Sequence, residues 1–203
     1  MSIMKILLII IILTFNFQFL SKADDISEFE IEGISVGDSL LDHFKKKTIN
    51  SARKYEYKND KFYGLDIWSD KFKQYSAIQF HLKKNDNKYL IQGLSGTLIF
   101  GPMIDYYPSS KEECNKQKKI ITDSLSSLFP NADVSSFNQI DAEDGYGGKA
   151  IRQETYFVLD VGEIWVQCIT YGKETKKKET LYDNLKLTLL TPEFIEWMAI
   201  AHQ

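Results

Sequence analysis

Cysteine, histidine and proline are scarce in this chain, whose 203 residues contain 2 Cys, 3 His and 4 Pro. Each shortage narrows the chemistry. Cys114 and Cys168 stand far apart and do not make the C-x-x-C of a thiol-redox pair. His43, His81 and His202 are scattered and form no H-x-x-x-H, so spacing offers no zinc site. No G-x-S-x-G is present, and no serine has a histidine in a recognisable hydrolase motif. Gly145-Tyr146-Gly147-Gly148 shares only composition with a phosphate-cradling loop, because it lacks the preceding strand and the Lys-Ser/Thr ending. Asp141, Glu143 and Asp144 are oxygen ligands of the kind calcium takes. Counting back from Gly145, however, puts Ile140 at the first EF-hand position, and a solvated acidic loop is the plainer reading. No cofactor is expected. The chain also lacks net positive charge: at −3 it is mildly acidic and not built to seek nucleic acid. Its richness in Ile, Lys, Asn, Phe and Tyr reflects the coding genome and not a chemistry.

Long apolar runs are confined to the N-terminus. Lys5 precedes the run Ile6 to Phe15, which weakens at Asn16 and Gln18 and leads to the small-x-small site Ser21-Lys22-Ala23. This reads as a secretory signal peptide over residues 1–23, with the mature chain starting at Asp24. The run is about half of the ~20 residues a spanning helix needs, so cleavage is expected and no transmembrane segment would remain. No cysteine stands at the cleavage point to carry a bacterial lipid anchor. Loss of Lys5 and Lys22 would move the net charge from −3 to −5. Residues 24–203 then make a single domain, exported to the periplasm or beyond the cell.

What is present is a capped helix and a succession of strands. Pro108 leads into Ser109 with Glu112, or Ser110 with Glu113, a capping box opening a helix over 109–129. Cys114, Ile121, Leu125 and Leu128 share one face, widened by Ile120 and Phe129. Cys168 lies in a strand whose alternation sets it beside Ile164 and Val166. In an oxidising compartment the two cysteines predict a disulfide joining this helix to that strand. Further strands are expected over 54–57, 62–68, 76–83, 88–100, 151–159, 163–171 and 181–190, with Gly93 and Gly96 marking a bulge or close packing. A short helix is expected from Ser35 to the lysine run Lys45-Lys46-Lys47, and a last one behind Thr191 and Pro192 with Phe194, Trp197, Met198 and Ala201 as its stripe. Residues 131–149 and 172–180 read as polar loops. The order predicts an α+β domain, an antiparallel sheet with helices packed on one face, with a loose doubling of helix-plus-strands units.

Tyr55 to Tyr75 is dense in aromatics. Most of these rings are expected in the cores of short strands, with Tyr63, Trp68, Tyr106 and Tyr107 as candidate contacts for a ligand or partner. Paired carboxylates, Asp66 with Asp70 and Asp141 with Glu143, could in principle act on a glycosidic bond, a geometry that sequence does not give. The segments "EFEIEGISVGDSLLDHF", "IQGLSGTLIFG" and "GEIWVQC", with the helix carrying Cys114, resemble a family of exported α+β proteins from small-genome marine bacteria, a resemblance that implies no activity. "GISVGDSLLDHF" is also similar to the helix start of small outer-membrane assembly lipoproteins of the BamE type and of β-lactamase-inhibitor-like domains. That likeness implies helices on an antiparallel sheet and action by binding proteins. The function expected is therefore a non-enzymatic module of the cell envelope that binds another envelope protein or a small ligand. The alternatives are a hydrolase using surface carboxylates and a carbohydrate-binding protein using the Tyr55–Tyr75 rings.

Overall fold

The structure, a computed structural model, describes residues 25–57, 61–100, 111–143, 149–179 and 182–201. After a 3-10 turn (Ile26–Glu28) come α1 (Leu40–His43), α2 (Lys46–Ser51), β1 (Arg53–Glu56), β2 (Phe62–Ile67), β3 (Ala77–Lys83) and β4 (Ile91–Phe100). The second half holds α3 (Lys111–Leu128), β5 (Asp133–Glu143), β6 (Lys149–Leu159), β7 (Gly162–Tyr171), α4 (Lys173–Glu179), β8 (Asp183–Leu190) and α5 (Pro192–Ala201). Strands dominate. They form one eight-stranded antiparallel sheet in the order β1-β2-β3-β4-β8-β7-β6-β5. Two meanders, β1–β4 and β5–β8, thus meet at the centre, where β4 pairs with β8. The loose doubling seen in the sequence takes this form.

Because side chains alternate across a strand, register decides what each face carries. One face presents Leu65, Phe80, Leu94, Leu189 and Ile164, each 0% exposed, against α3 and the N-terminal segment. Each such side chain contributes about 1.5–3 kcal/mol by leaving water. On α3, Cys114, Leu125 and Phe129 at its end are buried, and Ile121 and Leu128 pack half-buried against the core. Ile120 departs from the expected stripe at 51% exposure. The disulfide Cys114–Cys168 ties the first turn of α3 to the middle of β7, with Phe100 and Leu185 packed around it. The helices do not all share that face: α5 sits on the opposite one, where Phe194 and Trp197 pack with Phe62 and Leu190. The first turn of α5 is capped as expected, with Phe194 N donating to Thr191 Oγ1 at 3.4 Å.

Three elements differ from the sequence reading. The helix expected from Ser35 begins at Leu40, capped by Ser39, and Ser35 instead closes a turn by donating Oγ to Phe29 O at 2.6 Å. Phe44 is extended, since its ring packs on Phe72 and Phe80, and this splits the helix before Lys46. Asp133–Glu143, read as loop, is an edge strand. Its exposed apolar residues, Val134 and Phe137, stand on opposite parities, so no period of two marks it. Lys173–Glu179 is helical without an apolar stripe, held by buried Thr175 and by Lys176 Nζ donating to Asp183 Oδ2 at 2.7 Å.

Candidate functional site

The face opposite the main core carries the other half of each strand's alternation. Register lines these residues up in rows. Asp66, Gln79, Ser95, Thr188, Trp165 and Tyr156 are successive partners from β2 to β6, and Thr97, Lys186, Gln167 and Glu154 follow in the next row. A polar belt therefore crosses the centre of the sheet, where neighbouring strands are usually apolar. Its members satisfy one another. Gln79 Nε2 donates to Asp66 Oδ1 at 3.1 Å, Ser95 Oγ and Thr188 Oγ1 lie 2.9 Å apart, and Gln167 Nε2 donates to Glu154 Oε1 at 2.8 Å. The hydroxyls of Tyr55 and Tyr156 donate to Asp66 and Glu154 in turn.

Over this belt lies a cavity of about 650 Å³, within the range of small-molecule sites. Ser95, Thr188, Gln79, Gln167, Lys186 and His81 form its polar lining, and Tyr57, Trp165, Leu190, Phe194, Trp197 and Met198 its apolar walls. The ring of Trp165 is held by its Nε1, which donates to Glu163 Oε2 at 2.6 Å, and by an edge contact with Tyr156. Trp197 packs at 5.3 Å from Tyr57 and 5.1 Å from Phe62, and among the described residues its indole N–H has no hydrogen-bond partner.

Three titratable groups of the site, His81, Tyr57 and Lys186, have displaced pKa values. His81 stacks on Phe194 with centroids 4.6 Å apart, and its Nδ1 lies 2.7 Å from Tyr57 Oη. Burial, aided by the Lys186 charge, pushes its pKa down to about 3, so the imidazole is neutral. Burial, with the charge of Asp66, pushes the Tyr57 phenol well up. Lys186 Nζ donates to Gln79 Oε1 at 3.1 Å. Burial holds its ammonium below the ordinary lysine value; Asp66 opposes that shift and Arg152 adds to it.

Space for His81 is made by two glycines on its neighbours, Gly64 and Gly93. A Cβ at Gly93 would stand 2.8 Å from His81 Cδ2 and 3.0 Å from Leu190 Cδ2, and one at Gly64 would stand 2.7 Å from Tyr57 Oη. The close packing read at Gly93 from the sequence is thus real, and the β3–β4 register also shifts beside it. Gly93→Val is expected to cost about 1–3 kcal/mol by overpacking, read as a lower urea midpoint with an unchanged slope.

Of the candidate contact residues, neither Tyr63 nor Trp68 lines the cavity. Tyr63 shares the core face, packs against the main cluster and has its phenol pushed up to about 12 by burial and nearby acids. Trp68 is 63% exposed and away from the cavity lining. Tyr106 and Tyr107 lie outside the described residues, as do His202, the start of the helix at Ser109 and Ser110, and the side chains of Asp141, Glu143 and Asp144. Of the aromatic stretch, Phe72 and Tyr75 pack against the main core and Phe62 under α5, as expected, while Tyr57 alone lines the cavity. Asp66 belongs to the polar belt, whereas Asp70 is exposed beyond the strand. The site residues the sequence reading missed, Lys186 above all, had one signal: a charged residue between leucines, Leu185-Lys186-Leu187, in a strand that proves to be central. Comparison with family models, curated proteins and solved structures finds no match to this chain.

Proposed function

We propose that this protein is an exported, non-enzymatic binding module that receives a small molecule on the open face of its sheet. The cavity carries the reading: it joins a fixed polar floor to aromatic walls, the usual composition of a small-molecule site. The carboxylates and the imidazole that catalysis would draw on are already engaged. Asp66 and Glu154 each accept from a tyrosine and a glutamine, and the His81 Nδ1 is paired with Tyr57. Export accords with the N-terminal signal pattern and with the Cys114–Cys168 disulfide, a bond that persists in oxidising compartments. The site of action would then be the envelope or the medium outside it.

Tryptophan emission tests this directly. Of the 3 Trp, only Trp165 and Trp197 line the cavity, so Trp68→Phe leaves them as the reporters. A panel of small apolar and amphipathic compounds is expected to yield at least one that shifts both the emission and the melting temperature of this variant. Trp165→Ala should abolish that response. A panel that moves neither observable would overturn the proposal.

A further inference from the structure

We infer that the ligand of this cavity is a small monocarboxylate with an apolar body. Its carboxylate would rest on Lys186 and the Ser95–Thr188 hydroxyl pair, and its body against Trp165 and Trp197. The inference rests on the binding role proposed above and adds the chemical class.

Two charged residues, Lys186 and Glu56, line the cavity. Glu56 is engaged at the rim, where Lys84 Nζ lies 2.7 Å from its Oε2. Lys186 is different. An ammonium has three N–H donors, and among the described residues Lys186 Nζ makes a single hydrogen bond, to Gln79, and no ion pair. The two acids in its neighbourhood are each one amide away. Asp66 holds Gln79, the group Lys186 touches, and Glu154 holds Gln167, the cross-strand partner of Lys186. A half-buried cation with donors to spare is costly to keep until an anion completes it.

Among the described residues Lys186 is the one lysine or arginine lining the cavity; of the charges acting on it, Asp66 lowers and Arg152 raises the local positive potential, so the floor offers one ammonium for one carboxylate. The second carboxylate oxygen has a donor at hand. Ser95 and Thr188 hydrogen-bond to each other at 2.9 Å, which uses one hydroxyl proton and, among the described residues, leaves the other without an acceptor. Thr188 follows Lys186 by two positions on the same face of β8, so ammonium and hydroxyl flank one patch of floor. Around that patch Leu190, Phe194 and Trp197 are buried apolar surface, suited to an aromatic or aliphatic body and not to a second polar end.

Matched pairs separate the two levels of the argument. Phenylbutyrate and octanoate, each with its neutral amide, are titrated calorimetrically into the Trp68→Phe protein at pH 7. Each acid is expected to bind about tenfold more tightly than its amide, as a charge-assisted hydrogen bond allows. Lys186→Met, checked for folding by its melting curve, should bring acid and amide to the same affinity, and Lys186→Arg should keep the preference. The acid's advantage should also fade on alkalinisation at a lower pH than an ordinary lysine would give, with the amide unaffected. Equal binding of acid and amide by the Trp68→Phe parent protein would overturn the ligand class while leaving the binding role intact. A preference that survives Lys186→Met would overturn the assignment to Lys186. Binding of neither member of either pair would overturn the ligand class, and the panel above would decide the role.

Discussion

Acidification from pH 6.5 towards pH 3 is expected to remove about 4–5 kcal/mol of stability through His81 alone. The residue is 8% exposed, stacked on Phe194 and set beside the Lys186 cation, and its folded pKa is down at about 3 against an unfolded value of 6.5. Between these values the unfolded chain takes up a proton that the folded one refuses. The contribution is therefore complete above pH 6.5 and is lost, at about 1.4 kcal/mol per pH unit, as pH falls towards 3. Carboxylates join in only lower down. For Glu32, burial works against the charge, yet the backbone N–H groups of Lys73, Gln74 and Tyr75 outweigh it and lower the pKa. Glu193 is lowered chiefly by Lys83 and Lys61. Both lose their contribution below the ordinary carboxylate value of 4.5. The diagnostic window is thus pH 6.5 to 5. Urea denaturation across it should show a loss of about 2 kcal/mol for the native protein and little for His81→Gln; parallel curves for the two would refute the account.

Replacing Cys114 and Cys168 together by alanine is expected to lower stability by about 2–4 kcal/mol. The bond closes a loop with a sequence separation of 54, for which chain entropy alone gives about 4 kcal/mol. Its position sharpens the expectation. α3 is the connection between the two meanders, and the bond fixes its first turn to β7 beside buried Phe100 and Leu185. Without it the helix still has Leu125 and Phe129 to hold its far end on the sheet. The variant should therefore keep its far-ultraviolet circular dichroism while its urea midpoint falls, and reductant should reproduce that fall in the unaltered protein. A midpoint unmoved by either treatment would contradict the prediction.

Much of the fold is legible in the residues. Alternation marks β3 and β7 because each buries only one parity on the main core, β6 is read as the other arm of the β7 hairpin, and α3 is marked by its stripe and by its acidic first turn. The edge strand β5 escapes for the same reason in reverse: with one neighbour and exposed Phe137, it has little buried parity to show. The site is harder to read because it is a matter of register. Gln79, Ser95, Thr188 and Gln167 each look like the solvent half of an alternating strand. Only the order of strands, which brings β4 beside β8, reveals them as one floor. Phe194 and Trp197 are legible as a stripe, yet nothing local says which side of the sheet they cover. Tyr63 and Trp68 attract attention as rings, while parity sends the first to the core and the second lies past the end of β2.

The seam between β4 and β8 has a consequence for how the molecule is made. Of the eight strands of this sheet β8 leaves the ribosome last, and it fits between two partners formed earlier, β4 and β7. Until it arrives, both expose a full row of unpaired amides, an invitation to mispairing, and closing so distant a contact is intrinsically slow. The same strand delivers Lys186 and Thr188. Competence to bind and protection from aggregation would therefore be acquired in one late event, the insertion of a keystone.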